Sequence, residues 1–324
     1  MNNDEYIFQE FLAPTMQKTY EDIKNHVLLG ASQQISKIAD MLKSLCTECI
    51  SRNCDLSMMR KIVLQCAHYY MKTRGSASRS IYNSVLLLIN GLETSSDIDA
   101  FVHRLNLNID NLKKENKKNL DIILSFSVNE LSTCDTFMLF DYSSTIDKVI
   151  RKIASSRRIN ILIPESSSIR GGAPYLSLNK LKNVNLSFFP DAAIYFKLKQ
   201  CDCVLMGAET FYPNGSGFNT IGSDMVGMLC KILGKRLYFI TPFIKLDIRS
   251  MQGIHKELVR VDYKPEYCKS QLKDLSIETC IPELIEVSAD CIYSYITEYG
   301  VLPSGQMFNQ SMEYFNKIKV SNNE

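Results

Sequence analysis

The spacing of apolar residues changes character about two fifths of the way along the chain. In the first part, apolar residues recur every three or four positions, the spacing of helices that bury one face. Three stripes carry the pattern: Ile35, Ile38, Met41, Leu42 and Leu45; Met59, Ile62, Val63, Cys66 and Tyr69; and Ile98, Phe101, Leu105, Ile109 and Leu112. They predict helices over these segments, the last running over residues 96–119, with a further helical stretch over 120–131. We therefore expect a helical N-terminal domain over residues 1–130.

From about Thr133 onward, short apolar runs replace the helical stripes. They occupy residues 136–141, 160–165, 185–190, 203–209 and 236–242, with helical segments between them. Strands that alternate with helices in this way indicate a parallel sheet with helices on both faces. The predicted fold class is α/β, with a doubly wound, mostly parallel Rossmann-like sheet over residues 131–324. Residues 281–319 are expected to form an extended segment, a helix, a turn at 300–303 and a last helix.

Polar residues stand where these predicted strands end. The positions are Asp141, Glu165, Asp191, Glu209 and Thr241. In open sheets of this kind, ligands bind at the carboxyl ends of the strands. The sequence therefore predicts a ligand site along that edge.

Charge excludes one class of partner. The formal net charge is only +2, so the chain lacks the basic excess of a nucleic-acid-binding protein, and no DNA partner is expected. The local run of lysines at residues 113–118 is interpreted as the solvated face of a helix.

The cysteines do not form a metal-binding pattern. There are eleven, an odd number, and Cys46 and Cys49 make a single C-x-x-C pair without a second one. Reduced, mostly buried thiols are expected, with no metal and no tightly bound cofactor. The first residues lack the apolar core of a signal peptide, and the run near residues 85–89 is too short to span a bilayer. A cytoplasmic protein with no membrane partner is the expectation.

Motifs spread over about 240 residues resemble the α/β/δ regulatory-subunit family of translation initiation factor 2B. That family shares its fold with methylthioribose-1-phosphate isomerase and ribose-1,5-bisphosphate isomerase. The similarity lies in the order and spacing of several short elements, each weak alone. They are Arg74 with Ser76, Ser78 and Asn83, and residues 140–145, 165–173, 190–193, 207–209, 214–215, 219–223, 243–247 and 300–304.

At three positions the chain departs from the isomerases that it resembles. Asp141 matches their catalytic cysteine, Ser216 matches their catalytic aspartate, and Thr220 matches a lysine that follows the ligand-binding asparagine, here Asn219. A neutral serine is not a general base near pH 7 without a partner, whereas a carboxylate at 141 can still accept a proton. Asp141 and Ser216 are the only catalytic candidates, and the resemblance favours a protein that is not an enzyme.

Several further residues are candidates for binding a ligand or its phosphate. Ser143 and Ser144 open a predicted helix, where they either cradle an anion or cap the helix. Arg74 and Arg170 either bind phosphate or form structural ion pairs. The remaining candidates are Asp191, which either lines the site or caps the helix after it, and Asn214, Gly215 and Asn219 in a tight turn followed by a helix.

The resemblance implies three functions, which the residues alone do not separate. The first is a non-catalytic regulatory subunit, a homodimer or hetero-oligomer with related subunits. It would bind the α subunit of initiation factor 2 and control guanine-nucleotide exchange. The second is a sugar-phosphate aldose–ketose isomerase. The third is a homologue that binds a sugar phosphate or nucleotide without turnover.

Overall fold

The computed structural model describes residues 6–25, 30–263, 270 and 277–320, with the side chains of 318–320 left aside. These residues form two compact units. One comprises the described residues up to Lys118 together with those from Glu313 onward, and the other comprises Asn119–Met312. The sequence places its domain boundary after residue 130 instead, and that assignment stays a prediction.

The N-terminal unit is helical, as predicted. Its α-helices are α1 (Pro14–Lys24), α2 (Ala31–Ser51), α3 (Leu56–Thr73), α4 (Arg79–Leu88) and the first two thirds of α5 (Ile98–Glu130). The predicted stripes of α2, α3 and α5 are buried, except that Tyr69 and Ile98 are partly exposed. One boundary is corrected: the two helical stretches predicted over 96–119 and 120–131 form the single helix α5. No glycine or proline lies between them to end the helix.

The second unit is built on a seven-stranded sheet, which confirms the predicted fold class. Its strands are β1 (Thr136–Leu139), β2 (Ile159–Pro164), β3 (Val184–Phe189), β4 (Cys203–Met206), β5 (Thr210–Phe211), β6 (Gly217–Thr220), β7 (Arg236–Ile240), β8 (Arg260–Asp262), β9 (Cys280–Pro282), β10 (Leu284–Val287), β11 (Ser294–Thr297) and β12 (Gly300–Pro303). The large sheet has the order β12-β11-β7-β4-β1-β2-β3, parallel except for the β11–β12 pair. A small antiparallel sheet, β10-β6-β5, and the pair β8-β9 complete the strands.

Helices cover both faces of the large sheet. They are α6 (Ser144–Ala154), α7 (Ile194–Leu198) and α8 (Ser223–Leu233), and α9 (Met307–Val320) follows the last strand. Alternate strand residues such as Phe137 and Ile161 share one core with the inner face of α6 and the end of α5. On the other face, the α-carbon of Gly227 in α8 lies close to Leu237 of β7. The sheet therefore has a layer of helices on each side.

The C-terminal prediction is partly wrong. The expected extended segment is β9 and the expected last helix is α9, but the helix expected between them is replaced by β10 and β11, and the expected turn at 300–303 is β12. Tyr295 and Ile296 pair with Phe239 and Ile240 of β7, which buries them on both faces of the sheet. Buried strands lose the alternation of apolar and polar residues, so this segment has no clear strand period in the sequence.

Candidate functional site

Four neighbouring strands of the large sheet end at one edge. Thr241 follows β7, Glu209 and Thr210 follow β4, Asp141 lies just after β1, and Ser166 follows β2. Because parallel strands direct their carboxyl ends to the same edge, these residues are brought together by topology. We call this region the strand-end site; it comprises Asp141, Ser166, Thr210, Asn219, Thr220, Ser223 and Thr241.

Asp141 is held in an uncommon backbone conformation with both carboxylate oxygens engaged. Its φ is 61°, in the left-handed region that non-glycine residues rarely adopt. Oδ1 accepts a hydrogen bond from the amide of Tyr142 at 2.8 Å, and Oδ2 accepts one from the hydroxyl of Thr220 at 2.7 Å. The residue predicted to stand in place of the isomerases' lysine is therefore the direct partner of the residue predicted to stand in place of their cysteine.

Gly171 allows the loop after β2 to approach this carboxylate. A Cβ at position 171 would lie 2.2 Å from Oδ1 of Asp141 and 3.2 Å from Oγ of Ser166. The first distance is shorter than any van der Waals contact, so a residue with a Cβ would displace either the loop or the Asp141 carboxylate. The loop thus brings the hydroxyl of Ser166 next to Asp141.

The surroundings of Asp141 favour its protonated form. Burial raises the pKa of the Asp141 carboxyl, and the nearby Glu209 raises it further. The hydrogen bonds from Thr220 and Tyr142 and the charge of Lys245 oppose this rise in pKa without cancelling it. Lys245 itself donates to the carbonyl of Ala208 at 2.6 Å. The site therefore holds a carboxyl group that takes up a proton more readily than an exposed aspartate does.

We expect Asp141→Asn to change the pH dependence of stability. A carboxyl whose pKa is raised on folding stabilises the protein fully below its unfolded pKa, and this contribution is lost as pH rises through the folded pKa. Asparagine carries no charge, and its amide can keep one bond to Tyr142 and one to Thr220. The variant should match the wild type at a pH below the unfolded pKa of an aspartate, about 3.9, and exceed its stability at pH 7–8. Thermal unfolding across this pH range measures the difference.

An exposed carboxylate provides the control for that experiment. Asp121→Asn removes a negative charge from the surface of α5 and should leave the pH dependence of stability unchanged. A difference between Asp141→Asn and wild type that stays constant with pH would show that the folded protein does not favour the protonated carboxyl.

Asp191 anchors the loop after β2 and does not cap its own helix. Its carboxylate accepts hydrogen bonds from the amides of Ser166 and Ser167 at 2.9 and 2.8 Å, and from the hydroxyl of Ser167 at 2.9 Å. The 3₁₀ turn that begins at Asp191 has no side-chain cap. Asp191 therefore acts through the loop that carries Ser166 to the strand-end site.

The two serines at the start of α6 have different environments. Oγ of Ser143 accepts a hydrogen bond from the amide of Ile146 at 3.4 Å, as expected for an N-cap, and the amide of Ser143 donates to the hydroxyl of Tyr175 at 2.9 Å. Ser144 is the first residue of α6 and is exposed. Two roles are predicted for Ser143, and the hydrogen bond from Ile146 corresponds to the helix-capping role.

The turn at residues 214–216 is internally bonded and held against the C-terminal strands. Oδ1 of Asn214 accepts hydrogen bonds from the amide and the hydroxyl of Ser216, both at 2.9 Å. Gly215 has a φ of 86°, and its carbonyl accepts a hydrogen bond from Tyr295 at 3.0 Å. Ser216 is buried, and within the described residues no hydrogen bond joins it to Asp141.

The two arginine candidates belong to different units, and their side chains have different surroundings. Arg74 belongs to the N-terminal unit, where it ends α3 and its Nε donates to Gln34 at 3.0 Å. Arg170 lies in the loop after β2, is exposed and has a φ of 56°. Its backbone carbonyl accepts a hydrogen bond from Ala173, which helps to shape the loop beside Asp141.

Five buried polar side-chain atoms of the strand-end site have no hydrogen-bond partner within the described residues. They are Oγ of Ser166, Oγ1 of Thr210, Nδ2 of Asn219, Oγ of Ser223 and Oγ1 of Thr241. Buried polar groups are nearly always hydrogen-bonded, so such a concentration at one edge points to a polar ligand. The sequence analysis names Asn219 and Thr241 individually, whereas Ser166 and Ser223 lie within the family-like segments 165–173 and 219–223 and Thr210 lies in none of them.

Metal-binding clusters and membrane-spanning helices are both absent from the part of the chain that the structure describes. Among the side chains that the structure describes, no group of three or more His, Cys, Asp and Glu residues is arranged to hold a metal ion. Within the same part of the chain, no helix has the length and apolar character needed to cross a membrane.

Comparison with known proteins identifies relatives along most of the chain. Residues 17–304 match the model of the initiation factor 2 subunit family. The ribose 1,5-bisphosphate isomerase of Methanocaldococcus jannaschii is 23% identical over 295 residues, covering 89% of this chain and 91% of that protein. The enzyme of the same name from Archaeoglobus fulgidus is 24% identical over 173 residues, about half of each chain, at 52% and 54%.

Solved structures share the fold at low identity. The 5-methylthioribose 1-phosphate isomerase of Pyrococcus horikoshii OT3 has a TM-score of 0.72 at 16% identity, covering 94% of this chain and 92% of that one. The translation initiation factor eIF-2B of the same organism has a TM-score of 0.71 at 16% identity, covering 90% and 98%. A chain of the tetrameric eIF2B-beta2-delta2 complex from C. thermophilum has a TM-score of 0.64 at 17% identity, covering 93% and 94%.

Proposed function

Because this chain belongs to the initiation factor 2 subunit family, we propose that it is a non-catalytic regulatory subunit that binds a phosphorylated sugar or nucleotide at the strand-end site. The observation that carries the proposal is the set of five buried, unpartnered polar atoms at the ends of neighbouring strands. A ligand rich in hydroxyl and phosphate oxygens offers partners to all of them.

The start of α8 supplies a place for the phosphate. Gly222 precedes the helix with a φ of 96° and no side-chain cap, and Ser223 is its first residue. Free backbone amides at a helix N-terminus bind anions. Thr220, two residues before Gly222, donates its hydroxyl to Asp141, so the segment that leads into this helix contacts the carboxylate. The relatives named as ribose-1,5-bisphosphate and methylthioribose-1-phosphate isomerases make a phosphorylated pentose the first ligand to test.

The geometry around the two catalytic candidates supports binding without turnover. Ser216 is buried and donates its hydroxyl to Asn214, so it has no basic group to activate it. Asp141 is fixed by Thr220 and by the amide of Tyr142. A site that keeps its polar lining but lacks the acid–base pair suits a sensor of the ligand.

An aldose–ketose isomerase remains the second candidate, on one specific observation. The raised pKa of Asp141 gives a carboxyl that takes up a proton more readily than an ordinary aspartate. In its ionised form such a group can remove the proton from C2 of the sugar as the bond between C1 and the ring oxygen breaks, and return it to C1, while the proton of the 2-hydroxyl passes to the ring oxygen and C2 becomes the carbonyl. Turnover of ribose 1,5-bisphosphate that is abolished by Asp141→Ala would favour this candidate over the first.

Thermal unfolding with ribose 1,5-bisphosphate, methylthioribose 1-phosphate and nucleotides tests the site directly. At about 100 times its dissociation constant, a ligand that binds only the folded protein raises the free energy of unfolding by about 2.7 kcal/mol. We expect Asn219→Leu to weaken the affinity about tenfold, because it removes a buried amide from the site.

The same substitution at a second asparagine distinguishes loss of the ligand site from a general loss of stability. Asn185→Leu makes the same change at the amino end of β3, where Asn185 donates to Asn160. Its ligand affinity should equal that of the wild type. The ligand proposal fails if no phosphorylated compound shifts the unfolding temperature, or if both variants lose affinity equally.

The regulatory part of the proposal concerns partners in the cytoplasm. We propose assembly with related subunits into a complex that binds the α subunit of initiation factor 2 and controls guanine-nucleotide exchange on it. The tetrameric complex formed by a structural neighbour supports assembly of this kind. Affinity capture of the tagged chain from its native cells tests it. Recovery of no initiation factor 2 or related subunit would contradict the regulatory role, whatever the outcome of the ligand test.

A further inference from the structure

Two cysteines and an arginine meet at the edge of the large sheet opposite the strand-end site, where neighbouring strands begin. Cys203 is the first residue of β4, and Arg236, the first residue of β7, is its partner in the parallel register. Cys134 lies two residues before β1, the strand on the other side of β4. We call the side chains of Cys134, Cys203 and Arg236 the thiol cluster.

The two sulfur atoms of the thiol cluster are close together. A side-chain hydrogen bond joins the thiol of Cys203 to the sulfur of Cys134, and both side chains belong to one buried core. Two thiols that share a hydrogen bond need only a small movement to reach the bonding distance of a disulfide. The fold therefore holds two cysteines that are 69 positions apart in the chain ready to be joined.

Arg236 supplies a positive charge to this pair. Its Nη2 donates a hydrogen bond to the sulfur of Cys134 at 3.1 Å, and its Nη1 donates one to the hydroxyl of Tyr238 at 3.2 Å. Tyr238 in turn donates to the carboxylate of Glu130 at 2.7 Å. None of the ion pairs in the described part of the chain includes Arg236. A half-buried cation normally has an anionic partner, and the thiolate of Cys134 is placed to be that partner.

The surroundings favour ionisation of Cys134 and protonation of Cys203. The hydrogen bond from Cys203 and the charge of Arg236 lower the pKa of the Cys134 thiol, and burial and the charge of Asp202 oppose this effect without cancelling it. The same hydrogen bond, together with burial, raises the pKa of the Cys203 thiol. A thiolate beside a protonated thiol is the arrangement of an attacking and a resolving cysteine.

We propose that Cys134 and Cys203 form a redox site at which hydrogen peroxide oxidises the two thiols to a disulfide. The thiolate sulfur of Cys134 attacks one oxygen of the peroxide, the O–O bond breaks, and the leaving hydroxide takes up a proton to become water. Cys134 is then a sulfenic acid. The sulfur of Cys203 attacks the sulfur of Cys134, the S–O bond breaks, and the hydroxide leaves as a second water with the proton of Cys203. One peroxide is reduced by two electrons, and two thiols become one disulfide.

Cys134 lies next to the protein surface although its own side chain is buried. Its chain neighbours Thr133 and Asp135 are exposed, and Arg236 is partly exposed. Cys134 directly follows the turn at 131–133 that ends α5, and local opening of a turn is the least costly kind of opening in a folded protein. Hydrogen peroxide is little larger than water, so such an opening admits it.

Mass spectrometry of the reduced full chain after treatment with hydrogen peroxide tests the redox site. Cleavage after lysine and arginine leaves Cys134 as the one cysteine of peptide 119–148, whereas Cys201, Cys203 and Cys230 share peptide 200–231. We expect these two peptides to be joined in the wild type and in Cys201→Ala, the matched control. In Cys203→Ala they should stay separate, and dimedone, which traps sulfenic acids, should label Cys134.

The pH dependence of the oxidation rate tests the part played by Arg236. In the wild type, the rate of Cys134 oxidation should reach half its maximum below about pH 8.5, the usual pKa of a cysteine. Arg236→Met removes the cation, so the half-maximum should move to higher pH and the rate at pH 6.5 should fall about threefold or more. Circular dichroism of each variant checks that the fold is kept.

The order in which the cysteines of the wild type react provides a test without any substitution. Cys54, Cys280 and Cys291 are partly exposed, so exposure alone predicts that they are oxidised before the buried Cys134. The proposal requires the reverse order. Oxidation of these three before Cys134, joined peptides in Cys203→Ala, or an unchanged pH profile in Arg236→Met would overturn it.

Discussion

Gly215→Ala is expected to lower the free energy of unfolding by about 3 kcal/mol. A Cβ at this position would lie 2.1 Å from the backbone oxygen of Ser304, which cannot rotate away as a side chain can. The added atom must therefore separate the turn at 214–216 from the C-terminal strands, and overpacking of this kind costs about 1–3 kcal/mol. The φ of 86° adds about 1 kcal/mol for any residue with a Cβ. Chemical denaturation of the purified variant measures the loss.

Gly253→Ala separates the cost of the steric clash from the cost of the positive φ. Gly253 has a similar φ of 75°, but a Cβ there meets no atom within 4 Å. This variant should lose only about 1 kcal/mol, the backbone contribution alone. Equal losses in the two variants would mean that the contact between Gly215 and Ser304 contributes nothing to stability.

Asp191→Ala is expected to lower stability by about 3 kcal/mol and to abolish the ligand-induced thermal shift. The substitution removes the acceptor of three hydrogen bonds from Ser166 and Ser167. Hydrogen bonds to charged groups contribute about 1.5–3 kcal/mol each, and part of this is recovered when water replaces the carboxylate. Without the anchor, the loop no longer holds Ser166 and Gly171 beside Asp141. Thermal unfolding with and without ribose 1,5-bisphosphate measures both effects.

Asp202→Ala provides a matched loss of stability away from the site. Asp202 accepts hydrogen bonds from the amides of Asp135 and Thr136 at 2.8 and 2.9 Å, at the amino end of β1. This variant should be destabilised to a similar extent but keep the full ligand shift. If Asp191→Ala also keeps that shift, the loop after β2 takes no part in binding.

Much of the fold follows from apolar periodicity. The stripe from Ile35 to Leu45 recurs at helical spacing and is buried in α2. The short runs at 136–141 and 203–209 contain the parallel neighbours β1 and β4. Periodicity succeeds at these positions because the burial of one helix face, or of a whole strand, leaves a pattern within a few adjacent residues.

Periodicity fails where the burial depends on distant residues. β11 is a strand because Tyr295 and Ile296 lie beside Phe239 and Ile240 of β7, which stand 56 positions earlier in the chain. Nothing within residues 281–303 alone indicates that pairing, and the local pattern is also compatible with a helix. Non-local strand pairing is therefore the step that the sequence leaves open.

For the candidate site, the sequence predicted the edge and several of its residues but not their contacts. Asp141 was predicted from its place after a strand, and Thr220 only as the position of a missing lysine. Their hydrogen bond joins residues 79 positions apart. The approach of Gly171 to the same carboxylate depends likewise on how the loop after β2 folds back over the edge.

The sequence by itself determined that this chain has helices with one buried face, parallel strands with polar residues at their ends, and the motifs of its family. These properties are local, because each depends on residue type and spacing within one element. Only the tertiary structure decided that Thr220 bonds Asp141, that Asp191 anchors the loop carrying Ser166, and that the stripe of Met225, Met228 and Ile232 faces outward. The spacing of apolar residues in α8 gives this helix two apolar sides. The contacts of Gly227 with Val287 and Leu237 determine which side faces the sheet.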